Sequence, residues 1–261
     1  MEQINFYTTM KQTIILWMGA FVIVFLAGYL NSVISGDYPV TGTIGIDAQK
    51  VSYRFDKKYY TGDSYKVLVR SDIKDLDAEV QWKRRYDKQW NKIEMKQSGD
   101  FLSANLPKFN INDVVEYRVM VQRDNRTYLL PANKPVVMEF SGKAPKTITV
   151  VYYLTLFAGL LFSTRTGLEY FKERDKIKRF AFLTLAFFFL YNFIAPVNTT
   201  FAIDAANKSV PPITKLFDIQ SIVFLLLWIA GMWGAFKAKK PKLFVLIISI
   251  LTILVFLLVR V

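Results

Sequence analysis

Five stretches of the chain lack ionisable side chains, and one long polar stretch separates the first of them from the other four. Each is about 17 residues or longer, the least that a helix needs to cross a hydrocarbon core about 30 Å thick. Lipid offers the backbone no hydrogen-bond partner, so such a segment has to be helical. One run could be a buried helix of a soluble protein, but five in 261 residues predict an integral membrane protein. The predicted spans are Thr13–Leu30, Thr147–Thr164, Phe180–Pro196, Ile219–Phe236 and Leu243–Val259.

The first span shares one feature with secretory signal peptides, because Lys11 precedes an apolar run. A signal peptide has an apolar region of about 7–15 residues and then a small-residue cleavage site. Here the uncharged stretch continues from Gln12 to Gly36, and no clear Ala-x-Ala site follows it. We therefore interpret residues 1–36 as an uncleaved membrane anchor.

The charges of the short loops predict the orientation of the helices. Cytoplasmic loops carry an excess of Lys and Arg, and the loops after the second and fourth spans carry +3 and +4, whereas Val197–Asp218 is balanced. This predicts a multi-pass protein of the cytoplasmic (inner) membrane, with the N-terminus inside and residues 37–146 and the C-terminus outside. The charges counted are Arg165, Lys172, Arg174, Lys176, Lys178 and Arg179 against Glu169, Glu173 and Asp175, and then Lys237, Lys239, Lys240 and Lys242.

The net charge of +13 is spread over several segments. Residues 37–146 hold 20 Lys and Arg against 15 Asp and Glu, and the two cytoplasmic loops contribute +7. The loop charges fit contact with membrane lipid headgroups. A nucleic-acid-binding module would need basic residues clustered with a recognition motif, so we expect no nucleic-acid partner.

The chain contains neither His nor Cys. This composition excludes a disulfide framework, thiolate or imidazole metal ligands and the usual general base near neutral pH. The remaining Asp, Glu, Lys, Tyr and Ser residues form no known catalytic motif. We therefore predict no catalytic residues, no cofactor and no metal site, and a protein that is not an enzyme.

Residues 37–146 carry short runs of alternating apolar and polar residues, separated by turn signals such as Ser98-Gly99-Asp100. Strands at this spacing predict an all-β immunoglobulin-like or fibronectin-like sandwich inserted between the first two helices. The predicted strands are Val51–Phe55, Tyr65–Arg70, Ala78–Arg85, Phe101–Leu106, Val115–Arg123, Arg126–Leu130 and Val136–Phe140. Alternation puts the following side chains in the core: Val67, Val69, Val80, Trp82, Tyr117, Val119 and Val121.

Aromatic and basic residues of this domain raise two binding hypotheses. Trp82, Tyr86 and Trp90 are of the kind that stacks on sugar rings, but a small sandwich also needs large core side chains. We favour core packing and keep carbohydrate binding as the alternative. The basic run Lys83-Arg84-Arg85 fits a solvated strand end, and its alternative is a surface for lipid headgroups or an acidic partner.

Few polar residues lie within the spans or at their outer ends. Asn192 fits an interhelical hydrogen bond, with a conduction path as the alternative. Asp204 and Asp218 lie at the outer rim, where Asp218 directly precedes the fourth span and could cap its helix. Asn192, Asp204 and Asp218 are the candidate functional polar residues.

The chain resembles a family of bacterial inner-membrane proteins in which one helix, a small β-sandwich and four helices follow in order. A motif of that family, P-x-x-x-D-L-T-D-N-K ahead of a span with Trp, is met in part, since Lys215 and Gln220 replace an acid and the Lys. The resemblance implies the fold and no activity. It is carried by Gln81-Trp82, Trp90–Met95, Ala104–Pro107, Glu116–Val119, Leu130-Pro131, Phe140–Gly142 and Pro145, and in the motif by Pro211, Leu216, Asp218 and Trp228.

Three hypotheses for function follow from this organisation of an anchor (1–36), an outer β-sandwich (37–146) and a four-helix bundle (147–261). The favoured one is a non-catalytic scaffold, assembly factor or accessory subunit whose Ig-like domain or helices bind a membrane or envelope protein. The second is a small transporter or transporter subunit with a cavity near Asn192, Asp204 and Asp218. The third is a membrane enzyme that uses Asp204 and Asp218 as carboxylates.

Overall fold

The computed structural model describes residues 2–36, 38–47, 49–60, 63–74, 76–124, 126–172, 176–204 and 219–259, without the side chains of residues 2–9 and 202–204. The chain divides into two compact units. The helical unit contains the first helix, the segment Ala144–Phe201 and the helices from Ile219 onward, and the β unit contains Gly36–Lys143.

Five helices of the described chain are long and apolar enough to cross a membrane. The helical conformation satisfies their backbone hydrogen bonds internally, and their apolar side chains are suited to face lipid. The helices are α1 (Glu2–Ile34), α2 (Lys146–Leu168), α3 (Ile177–Asp204), α4 (Ile219–Lys237) and α5 (Pro241–Leu258), and one turn of 3-10 helix (Glu169–Phe171) follows α2.

The helices extend beyond the predicted spans, and α1 does so most, from Glu2 to Ile34. The span ending at Thr164 continues to Leu168, so Arg165 belongs to α2 and not to a loop. The span ending at Pro196 continues to Asp204, so Pro196 lies inside α3 and not at its end. The hydroxyl groups of Thr199 and Thr200 donate to the carbonyl oxygens of Ala195 and Pro196, at 3.0 and 2.8 Å.

Buried side chains from all five helices form the core of the helical unit. Val24 of α1, Leu160 of α2, Phe188 of α3, Trp228 of α4 and Val245 of α5 are all buried in one cluster. The helices are therefore packed through apolar side chains, as ordinary helical bundles are.

Eleven strands form two sheets in the described part of the β unit. The first sheet has the order β1-β2-β4-β8-β7, and the second has the order β3-β11-β9-β5-β6 with β10 paired to β9. The strands are β1 (Val40–Ile46), β2 (Gln49–Phe55), β3 (Lys58–Tyr60), β4 (Lys66–Ser71), β5 (Asp77–Arg84), β6 (Asn91–Glu94), β7 (Lys96–Ser98), β8 (Phe101–Asn105), β9 (Val114–Arg123), β10 (Arg126–Leu130) and β11 (Val136–Ser141).

The seven predicted strands all occur, with ends shifted by one or two residues at most. Four further strands were not predicted, namely β1, β3, β6 and β7. Three of these are only three or four residues long, and β1 contains Thr and Gly at four of its seven positions. Such segments form strands because they pair with neighbouring strands, and their own composition does little to predict a strand.

Both sheets contribute to a single core. Along β4, Val67 and Val69 are fully buried while Lys66, Leu68 and Arg70 are exposed, as the two-residue period of a strand requires. The predicted core residues Val80, Tyr117, Val119 and Val121 are also fully buried, and Trp82 packs against the core half-buried.

In this core, two tyrosine hydroxyl groups form hydrogen bonds with the backbone of Asp56. The Tyr117 hydroxyl donates to the backbone oxygen of Asp56 at 2.9 Å, and the Tyr65 hydroxyl accepts from the Asp56 backbone N–H at 3.1 Å. Burial raises the pKa of both Tyr65 and Tyr117 above the ordinary value for tyrosine. Both hydroxyls therefore stay neutral and act as hydrogen-bonding groups of the core.

We expect Leu102→Ala to weaken the β unit by about 2–5 kcal/mol, because Leu102 is 1% exposed and its loss leaves a cavity. Leu68→Ala is the matched control, since Leu68 is 41% exposed on the neighbouring strand; its cost should stay within about 0.5 kcal/mol. Hydrogen exchange of β4 and β8 in the full chain measures both. Equal losses would contradict the assignment of inner and outer faces.

Candidate functional site

Asn192 lies on α3 and binds the neighbouring helix. Its side-chain amide donates to the backbone oxygen of Ser221 on α4 at 3.0 Å. A carbonyl in the first turn of α4 is thereby bonded twice, once within its helix and once across to α3. This is the interhelical role that the sequence favoured for Asn192.

The two predicted rim carboxylates are not brought into a described site. Asp204 is the last residue of α3, and its side chain lies outside the described residues. Asp218 lies wholly outside them. Their proposed participation in a cavity or in catalysis stays a prediction.

The basic run of the β unit is partly used in ion pairs within the second sheet. Lys83 pairs with Glu116 across the strand pair β5–β9 at 3.3 Å, and Arg84 lies 3.7 Å from Asp113. Arg85 follows the strand and is exposed. The charges of Lys83 and Arg84 are therefore partly neutralised by acids of the chain itself.

Trp90 lies on this same outer face and is covered by cations. The guanidinium of Arg118 lies 4.6 Å from the ring centroid and the Lys83 ammonium 5.3 Å, both within cation–π range. Of the aromatic residues proposed for sugar binding, Trp82 contacts Phe109 edge to face at 5.2 Å, and Tyr86 is 93% exposed. The three rings do not form one platform.

Glu79 is the acidic group that Gln81 and Lys92 contact on this face. Burial raises the pKa of its carboxyl, but the hydrogen bond from Gln81 and the ion pair with Lys92 outweigh burial, so the pKa of Glu79 lies below its usual value. Gln81 also accepts a hydrogen bond from Arg118 at 2.9 Å. The outer face of the second sheet is thus a connected network in which cations meet acids.

The most unusual polar group of the helical unit is an ion pair at the end of α2. Arg165 and Glu169 are both 0% exposed, and Nη2 of Arg165 lies 2.6 Å from Oε1 of Glu169. Charges are almost never fully buried unless they are paired, because an isolated one loses its hydration. This pair is the polar centre of its end of the helical unit.

Aromatic rings cover the rest of the guanidinium. Its Cζ lies 5.5 Å from the Trp17 ring of α1 and 5.0 Å from the Phe180 ring of α3. Nε and Nη1 of Arg165 have no hydrogen-bond acceptor among the described residues. The ring faces take the place of acceptors, and they join three helices around one charge.

The Glu169 carboxylate and nearby lysines form hydrogen bonds between the end of α2 and the other helices. Oε2 of Glu169 accepts from the Lys176 backbone N–H at 2.7 Å. The Lys172 ammonium, 6% exposed as a residue, donates to the Thr13 hydroxyl at 2.8 Å. The Lys242 ammonium donates to the Lys172 backbone oxygen. Residues from α1, α2, α3 and α5 therefore meet at this end of the unit.

A close contact between α2 and α5 lies beside the pair. A Cβ placed on Gly167 would lie 2.7 Å from Cβ of Ser249, so only glycine fits there. Ser249 donates from its hydroxyl to the Ser163 backbone oxygen at 2.9 Å. Small residues that let backbones approach, together with a hydroxyl donor, are typical of packed apolar helices.

This cluster was missed in the sequence because Arg165 and Glu169 were counted as loop charges. The correction is that both lie on one continuous helical segment and are fully buried. The available signal was their spacing: an Arg and a Glu four residues apart face each other if the helix continues. An 18-residue apolar run at the lower length limit also left room for the helix to continue.

Comparisons with known proteins give little more. No family model and no curated protein matches the chain. The crystal structure of the Br derivative of BhCBM56, a carbohydrate-binding module, is similar over 40% of this chain and 92% of its own, at 12% identity and a TM-score of 0.25. A likeness at that score carries no argument about this chain.

We expect Arg165→Met and Glu169→Met to destabilise the protein by about 3–5 kcal/mol each, because each leaves an uncompensated buried charge. The double variant should lose much less, since it removes both charges together. Thermal unfolding in detergent, followed by tryptophan fluorescence, measures this. Arg179→Met, an exposed cation of the same unit, is the control. A double variant whose loss equals the sum of the single losses would contradict an energetic pair.

Proposed function

We propose that the protein is an integral membrane scaffold or accessory subunit that presents its β unit to a protein partner. In this proposal it is not an enzyme, and its partner is another membrane or envelope protein. The observation that carries the proposal is the use of polar side chains in the helical unit. Apart from the Arg165–Glu169 pair, those with described partners bind neighbouring helices or their own backbone, as the parts of a fixed support would.

Three contacts illustrate this use. Asn192 binds the backbone of α4, and Ser249 binds the backbone of α2. The Trp228 indole N–H donates to the Thr252 hydroxyl at 3.0 Å, joining α4 to α5. A bundle held by such bonds is stiff, because breaking any one leaves an unsatisfied polar group in apolar surroundings.

The proposal places the protein in the cytoplasmic membrane of a bacterium, with the β unit outside. The family resemblance supports the location, and the positive-inside rule supports the orientation. The contact from Lys242 to the Lys172 backbone adds support, because it brings the segments after α2 and after α4 to the same end of the helical unit. Both basic segments can then face the cytoplasm together.

A mild-detergent purification from the native host, with quantitative mass spectrometry, tests this function. We expect one membrane or envelope protein to co-purify in stoichiometric amount. The same purification after chemical cross-linking in intact cells guards against a complex that detergent separates. No stoichiometric and no cross-linked partner in either preparation would overturn the proposal.

Transport is the second candidate, and the Arg165–Glu169 pair favours it. Ionisable residues buried among apolar helices often mark a path for ions or protons. A transport path requires water to reach the interior of the bundle, whereas the scaffold proposal expects an interior without water. The two candidates therefore differ in the accessibility of buried positions such as Thr252, which is 0% exposed.

Single cysteines measure this accessibility, because the chain has none of its own. In cells we expect a membrane-impermeant maleimide to label Lys88→Cys of the β unit but not Lys239→Cys between α4 and α5, which reports the orientation. For a dry bundle Thr252→Cys should stay unlabelled even in permeabilised cells. Rapid labelling of Thr252→Cys would favour transport over the scaffold.

A further inference from the structure

The outer faces of the two sheets differ in charge balance. On the second sheet, Lys83 and Lys92 pair with Glu116 and Glu79 at 3.3 and 2.9 Å. On the first sheet, exposed Arg54, Lys66 and Arg70 have no ion pair or hydrogen bond from their side chains within the described chain. The outer face of the first sheet therefore keeps positive charge that no acid of the described chain neutralises.

These three cations surround an exposed leucine. Lys66, Leu68 and Arg70 alternate along β4, so their side chains leave the same face about 7 Å apart. The β2–β4 register, with Ser52 opposite Arg70 and Tyr53 opposite Val69, leads Arg54 toward Leu68 on the adjacent strand. The result is an apolar side chain enclosed by positive charges on two strands.

A shallow groove of about 340 Å³ runs over this patch. Phe101, 47% exposed and opposite Arg70 on β8, adds a second apolar side chain beside Leu68, which is 41% exposed. Asp56 also lines the groove, where it is half-buried and lies within 3.5 Å of the Tyr65 hydroxyl. We call this surface, lined chiefly by Arg54, Lys66, Leu68, Arg70 and Phe101, the β4 groove.

We propose that the β4 groove is the docking surface for an acidic protein segment in extended conformation, with an apolar side chain between two acidic ones. An extended segment presents every second side chain on one side at the same spacing of about 7 Å. Acid, apolar and acid at alternate positions then match Lys66, Leu68 and Arg70. This inference rests on the proposed function, because it names the chemistry of the partner that the β unit would bind.

Charge complementarity and the apolar floor together select this occupant. A neutral sugar would leave three cations without counter-charges. A purely ionic ligand such as inorganic polyphosphate would leave Leu68 and Phe101 in contact with water. The acidic segment satisfies both, with apolar contact at the centre and charge pairs around it, as in the anchor and rim of protein interfaces.

The test uses the full chain in zwitterionic phosphatidylcholine nanodiscs and a synthetic peptide, Thr-Glu-Thr-Glu-Thr-Leu-Thr-Glu-Thr-Glu-Thr. Binding is followed by broadening of the peptide NMR resonances at low salt. The triple variant Arg54→Ser/Lys66→Ser/Arg70→Ser should weaken saturable binding by about tenfold or more, because each exposed ion pair accounts for roughly two- to fivefold. The control Lys88→Ser/Lys108→Ser/Lys134→Ser removes the same charge from exposed positions elsewhere and should change it by less than about twofold.

A second cycle tests the apolar contact. Leu68→Thr should weaken binding of the leucine peptide but not of the same peptide with Ser in place of Leu, which is a coupling between the two leucines. Equal losses in both triple variants, no saturable binding, or no coupling at Leu68 would each overturn the proposal. The proposal would also be overturned if phosphatidylglycerol vesicles or polyphosphate bound more tightly than the peptide and the Arg54→Ser/Lys66→Ser/Arg70→Ser variant lost that binding.

The purification described above separates this inference from the proposed function. A partner that co-purifies with the control but not with the Arg54→Ser/Lys66→Ser/Arg70→Ser variant supports both the β4 groove and the scaffold function. A partner retained by both variants overturns the β4 groove and leaves the scaffold standing. Saturable peptide binding with no partner from the native host overturns the scaffold alone.

Discussion

The buried Arg165–Glu169 pair is the interaction on which the helical unit most depends. A guanidinium and a carboxylate removed from water are tolerable only when each is paired and their surroundings are fixed. Trp17, Phe180 and the Lys176 backbone N–H supply those surroundings from α1, α3 and the segment before α3. One ion pair thereby ties the α2–α3 connection to the first helix, which the β unit separates from the rest in sequence.

Three further polar side chains of the helical unit follow the same physical rule. The amide of Asn192, the hydroxyl of Ser249 and the indole N–H of Trp228 find partners across helices, because apolar surroundings offer none. The β unit has water as an alternative partner, so its charges need not be paired. Pairing on the outer face of the second sheet, but not around the β4 groove, is therefore a feature of this molecule and not a requirement of folding.

Much of the fold could be predicted from patterns that are local. The five apolar helices were predicted from the length of their uncharged runs, and the seven strands from the alternation of apolar and polar side chains. Strand β3 could not be, since Lys58–Tyr60 pairs in parallel with residues 139–141, far along the chain. Among the candidate site residues, Asn192 was placed in its interhelical role, whereas Arg165 and Glu169 were assigned to a loop because a charge usually ends an apolar span.

The sequence by itself determined the order of the elements, the five helices, the two-faced strands and the surplus of positive charge, because each depends on neighbouring residues or on a total. Only the tertiary structure decided which charges are neutralised. Glu116 opposes Lys83 because β9 lies beside β5, and Arg54 joins Lys66 and Arg70 because β2 lies beside β4. Contacts between residues distant in the chain depend on strand pairing and helix packing, and no local pattern encodes these.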